Sequence, residues 1–203
     1  MKKLMVLLLA CLTATSVLAV IDPDPDSIGI YFDTAAEDNC LIVPAGIPFM
    51  AYLILTNPTA PAINAYEFGL ENVVPAGMES LFYRLATTPG NRVWAGPPIP
   101  GNNHLGGDFV VGLPYSIVAE PATILHSWQY MFLEYMPVEM YLHQSSNPSI
   151  PGVYPIVQNA EGSILMQVYQ SSGGPDIPVA TVNTDCVVGV EGASFGSVKA
   201  LFR

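Results

Sequence analysis

Apolar and polar positions alternate with a period of two along much of the chain. Ile28, Ile30 and Phe32 alternate with Gly29, Tyr31 and Asp33, which predicts a strand with one buried face. Tyr66, Phe68 and Leu70 alternate with Ala65, Glu67 and Gly69, and Phe109, Val111 and Leu113 repeat the pattern behind Gly106-Gly107. Phe49 to Leu55 is apolar on both faces and stops at Thr56-Asn57-Pro58, as a central strand followed by a turn would. The longest run is Thr123 to Leu133. Val138, Met140 and Leu142 follow the Met136-Pro137 turn, and the pair reads as a hairpin. Ser163 to Tyr169 and Ile177 to Val182 add two strands, while Gly96 to Gly107 and Ser145 to Pro151 read as loops. Met78, Leu81, Phe82 and Leu85 fall at helical spacing, so residues 78–85 form either a short helix or another strand. Eight to nine short strands predict an all-β fold, a single antiparallel sandwich in preference to a barrel. Nineteen prolines and seventeen glycines leave room for short helices at most.

The first nineteen residues break this pattern. Lys2 and Lys3 precede an apolar stretch from Leu4 to Leu12, and Val17-Leu18-Ala19 offers a cleavage site. That is the pattern of a secretory signal peptide, too short to span a bilayer comfortably. A rival reading takes Leu8-Leu9-Ala10-Cys11 as a lipoprotein box, although Leu9 is bulky where a small residue is usual. The expected organisation is therefore a leader (1–19), a sandwich domain (20–189) and a C-terminal tail (190–203), with the product secreted, periplasmic or on the cell surface. Cleavage leaves Arg84, Arg92, Lys199 and Arg203 against seventeen acidic residues, a net charge of −13. Nucleic acid and anionic membranes, which need a basic footprint, are poor partners for such a chain. Two cysteines remain, Cys40 and Cys186, and in an oxidising compartment the pair reads first as a disulfide and second as two separate buried thiols.

Candidate chemistry is thin. Gly192-Ala193-Ser194-Phe195-Gly196 matches a nucleophile elbow, yet only seven residues follow it and none is acidic or histidine. Asp22, Asp24, Asp26 and Asp33 fall at calcium-loop positions, but Ser27 stands where the turn needs glycine, so calcium is a weak candidate and a solvated acidic leader the simpler reading. His104, His126 and His143 share no metal-ligand spacing, so no metal site is expected from them. His126 and Trp128 share one strand face and are expected to be structural neighbours. Glu134 and Glu139 flank the Met136-Pro137 turn, where paired carboxylates of a glycoside-acting enzyme could meet. Trp94, Tyr115 and Tyr154 are the aromatic candidates for ligand binding by stacking, with Trp94 foremost. No catalytic set of nucleophile, base and electrophilic pocket emerges, and no cofactor is expected.

The order of elements resembles the cohesin-type and immunoglobulin-like sandwiches of bacterial secreted proteins. Phe49 to Asn57, Ile63 to Leu70 and Gly107 to Gly112, followed by the late strand pair, carry the likeness over about residues 27–183. Glu120-Pro121-Ala122 departs from it, standing where cohesins carry a glycine-containing strand lead-in. The tail, Val190 to Arg203, resembles a terminal signature of uncharacterised exported bacterial proteins, and Phe195, Val198, Leu201 and Phe202 within it form a small amphipathic unit. Fold likeness carries no function by itself. The expectation is a non-enzymatic module for binding, adhesion or extracellular assembly, with a protein or carbohydrate partner. A lectin-like domain and a secreted glycoside-acting enzyme are the alternatives.

Overall fold

The computed structural model describes residues 22–88, 93–94 and 104–184. The leader (1–19), Cys186, the Gly192–Gly196 motif and the tail lie outside the described residues. Thirteen strand segments, β1 to β13, occur among those described, several only two or three residues long. They form two sheets. The first runs in the order β12(Tyr169–Gln170), β1(Ser27–Tyr31), β3(Phe49–Thr56), β8(Ala122–Phe132), β5(Phe82–Thr88).

The second sheet is built on β4(Ala62–Val73), the long strand expected from the alternation at Tyr66, Phe68 and Leu70. One edge of β4 pairs with β7(Gly106–Val118), which in turn pairs with β6(Val93–Trp94). Its other edge is divided between two partners. Residues Ile63 to Glu67 pair with β10(Ile156–Asn159), and Gly69 to Val73 with β9(Val138–His143). Beyond these lie β11(Leu165–Gln167) on β10, and β13(Ala180–Val182) followed by β2(Cys40–Leu41) on β9.

Phe68, Leu70 and Met140 of one sheet meet Phe49, Trp128 and Tyr130 of the other in a single apolar core. At its centre Phe68 and Phe109 stack at 4.7 Å, and both stand T-shaped to Trp128. Aromatic pairs favour such offset and edge-to-face contacts over face-to-face sandwiches.

Three features depart from the sequence pattern. First, β8 and β9 are not a hairpin: β8 belongs to the first sheet and β9 to the second, and the corner Leu133 to Pro137 carries the chain across with Met136 wholly buried. Trp128, Tyr130 and Phe132 on β8 and Val138, Met140 and Leu142 on β9 each form an unbroken apolar face, and the two faces cover each other across the core. Second, β1 is buried on both faces. The Asp33 carboxylate accepts the backbone N–H groups of Ala35, Glu37 and Asp38. This folds the following loop over the outer surface, where Tyr31, Ala36 and Ile54 form a second small cluster. Third, residues 78–85 resolve into a 3₁₀ turn, Glu79–Leu81, feeding β5. Phe82 is the buried residue there, and its partner is Phe132 on β8.

Candidate functional site

His126 is the most buried ionisable side chain among the described residues outside the tyrosines. Its neighbours show what it does. Between β3 and β8 the register slips by one residue at Leu125, a β-bulge that turns both Leu125 and His126 toward the core. The Tyr66 hydroxyl donates to the Leu125 carbonyl at 2.8 Å and lies 3.1 Å from His126 Nδ1. Thr87 Oγ1 is 2.7 Å from Nε2, and the Trp128 ring lies against the imidazole at 4.8 Å. Both ring nitrogens are engaged and the residue is 1% exposed, so His126 is a structural strut, as its place beside Trp128 implies.

The outer face of the second sheet is acidic. Glu71, Glu139, Tyr141 and His143 project from β4 and β9, and Asp108 from β7. His143 Nε2 lies 3.2 Å from a Glu71 carboxylate oxygen, and the Tyr141 hydroxyl donates to Glu139 at 2.7 Å. That hydrogen bond, followed by burial, pushes the Tyr141 phenol up to about 12. A recess of about 380 Å³ lies among Glu71, Asp108 and His143, with Gly69 at its floor. A Cβ at Gly69 would come within 2.9 Å of the Gln144 carbonyl oxygen, so a bare backbone keeps this floor open. The loop after β9 is tied over the same face: Ser146 donates to Asp108, and Ser149 donates twice to the buried Glu67 at 2.7 Å.

A second opening, of about 470 Å³, sits where β1 and β12 pair in parallel. Tyr154 and Tyr169 line it edge to face, their ring centres 4.9 Å apart. Asp22, Gln170 and Ser171 supply polar groups. The Asp22 carboxylate accepts the Asp24 N–H at 2.9 Å and the Ser27 hydroxyl. Behind the wall, burial pushes the Tyr31 phenol up to about 12, and the Ser171 hydroxyl pulls weakly the other way.

No protein-family model matches the sequence, and no curated protein does. Solved structures do match. Twelve per cent of residues are identical to those of the type II cohesin dyad from the adaptor ScaA scaffoldin of Acetivibrio cellulolyticus. That likeness covers 79% of this chain and 49% of the dyad, with a TM-score of 0.51. The fold is a cohesin-like β-sandwich. A cohesin from scaffoldin B of the same organism, solved with a dockerin, gives 10% identity and a TM-score of 0.48 over 78% of this chain and 98% of its own. A Clostridium thermocellum cohesin solved with a dockerin gives 10% and 0.48 over 77% and 97%.

Within this cohesin-like sandwich the aromatic candidates part company. Tyr154 lines the cleft beside β12, whereas Tyr115 stands 82% exposed on β7 and does not. The backbone of Trp94, in β6, pairs with Val111 of β7; its side chain lies outside what the structure describes. Glu134 is exposed at the β8–β9 corner, while Glu139 is tied to Tyr141, and neither lines the recess or the cleft. Asp26 accepts the backbone and hydroxyl of Thr59, away from the Asp22 contacts. Among the described residues no three His, Cys, Asp or Glu side chains are arranged to hold a metal ion. His104 accepts the Arg84 N–H at 2.9 Å and so fastens a loop to β5. Sequence reasoning placed Tyr169 at the end of a strand but singled out neither it nor Gln170 as a site residue; the signal for both is a polar and aromatic pair ending a strand beside a Ser/Gly-rich turn.

Proposed function

We propose that this chain is a non-enzymatic assembly module that binds a protein partner, outside the cell, through the outer face of its second sheet. One observation carries the reading: the recess among Glu71, Asp108 and His143, floored by Gly69, offers two carboxylates at an open surface. A lysine or arginine side chain of a partner fits such a recess by charge and by shape. The rest of the molecule agrees in sign, since the chain carries a net charge of −11. Long-range attraction would then speed encounter with a basic surface and weaken as salt rises. The cohesin dyad that shares the fold comes from an adaptor scaffoldin, which is consistent with assembly as the role. Export is supported by the leader pattern at Lys2, Lys3 and Ala19.

Affinity capture from the extracellular fraction of the source organism tests this, run in parallel with a Glu71→Lys, Glu139→Lys double variant. A partner held by the native chain and by a Glu161→Lys control, but released by the double variant and by high salt, is the expected outcome. Capture indifferent to both charge reversal and salt removes the outer face from consideration.

A further inference from the structure

The cleft beside β12 plays no part in that reading, and its chemistry calls for a different ligand. We infer that it binds a neutral saccharide, one ring of which packs on Tyr169 while its hydroxyls meet Gln170 and Asp22.

The aromatic wall is the first ground. Tyr169 is 57% exposed although it lines a concave surface, and Ile177 beside it is 49% exposed. A pyranose ring has an apolar C–H face and a polar rim, so it suits a site with an aromatic side and a hydrogen-bonding floor. A cavity of about 470 Å³ falls within the usual range for small-molecule sites and holds one or two rings.

Gln170 is the second and more telling ground. It is only 3% exposed, its Nε2 donates to the Leu142 carbonyl at 3.1 Å, and its Oε1 has no hydrogen-bond partner among the described residues. Buried amide oxygens are rarely left unpaired, so this acceptor at the cleft wall calls for a donor from outside the described chain, and we assign that donor to the ligand. A sugar hydroxyl is such a donor.

Charge supplies the third ground and selects within the class. Among the described residues the lining holds Asp22 and Asp24 and no lysine, arginine or histidine, which disfavours phosphorylated sugars, uronic acids and carboxylates. Asp22 is also held in place by the Asp24 N–H and the Ser27 hydroxyl, which fixes it as an oriented acceptor. Bidentate acceptance of neighbouring hydroxyls is the natural use of a carboxylate so placed.

The test is titration of the purified exported chain, by calorimetry and ligand-observed NMR, with glucose, galactose, mannose, N-acetylglucosamine and their β-linked disaccharides, and with choline as a cationic comparison. At least one sugar binds, and Tyr169→Ala weakens it about tenfold, the worth of one aromatic contact. Tyr115→Ala and the Glu71→Lys, Glu139→Lys variant leave it unchanged, which separates this site from the protein-binding face. Three results overturn the inference: no binding by any of these sugars, sugar binding that survives Tyr169→Ala within about twofold, or choline as the tighter ligand. The last would make the two tyrosines and two aspartates a cation site.

Discussion

Single residues decide how the interior of this sandwich is wired, and His126, held by Tyr66 and Thr87 against the Trp128 ring, is the plainest case. The adjacency of His126 and Trp128 follows from a two-residue spacing on one strand face, and the rings do lie together. The bulge at Leu125 does not follow, because a one-residue slip leaves the pattern of apolar residues unchanged while re-aiming two side chains. The same limit applies to Tyr31, which alternation assigns to a solvent face and a folded-back loop covers. Its burial has a measurable consequence. Tyr31 and Tyr130 both have phenols pushed from 10.0 to about 12, chiefly by desolvation. A rise of that size amounts to about 3 kcal/mol of preference for the neutral form in each. The sign is fixed by linkage: below pH 10 the contribution is complete, and as pH climbs from 10 toward 12 the unfolded chain ionises first and stability is lost. Denaturant midpoints measured across that window should fall steeply, with part of the phenolate absorbance appearing only on unfolding. Ten tyrosines titrating together near pH 10 in a still-folded protein would contradict it.

At the scale of elements, period-two alternation located the strands well where one face meets the core and poorly where pairing is short or both faces are covered. β4, β7 and β8 stand close to where the apolar runs place them. Ser163 to Tyr169 breaks into β11 and β12, which serve different sheets, and β10 was invisible because four residues carry too little pattern. Alternation also says nothing about which sheet a strand joins, so the β8–β9 crossover read as a hairpin. The glycine pair opening β7 was more informative than it looked. Gly106 sits against the opposing strand: a Cβ there would overlap the Leu70 carbonyl oxygen and lie 3.1 Å from its carbon. The obstacle is backbone of β4, paired at that point with β7, and cannot swing aside. Gly106→Ala is therefore expected to cost about 1–3 kcal/mol, the usual toll of overpacking. Urea unfolding of that variant beside native protein measures it, and an unchanged midpoint would mean the strand shifts freely. The recess on the outer face should open or close with the same pairing, since Gly107 and Asp108 follow directly.

For the whole molecule, composition told the class and the charge, while the binding surfaces came only from the way loops close over strands. Asp22, Tyr154 and Gln170 are far apart in sequence and meet because β12 pairs with β1 and the loop bearing Tyr154 packs against Tyr169. Long-range closure also bears on the cysteines. Cys40 opens β2, which pairs in parallel with β13, Thr181 opposite Cys40. The Thr181 hydroxyl lies 3.4 Å from Cys40 Sγ. Asn183 then fixes the end of β13, its side chain accepting the Val43 N–H at 2.8 Å and donating to the Met136 carbonyl at 3.2 Å. Cys186, three residues further on, lies outside the described residues. A disulfide between Cys40 and Cys186 would close nearly the whole domain into one loop, worth about 5 kcal/mol on chain-entropy grounds. It would also require an oxidising compartment, so finding the bond would support export. Intact-mass analysis of the exported protein reads both at once. A chain beginning at Val20, two mass units lighter than its reduced form, is the expected result, and reduction should lower its denaturant midpoint. A lipid-modified chain beginning at Cys11 would instead favour the lipoprotein reading, and a retained leader with three reactive thiols would place the protein in a reducing compartment.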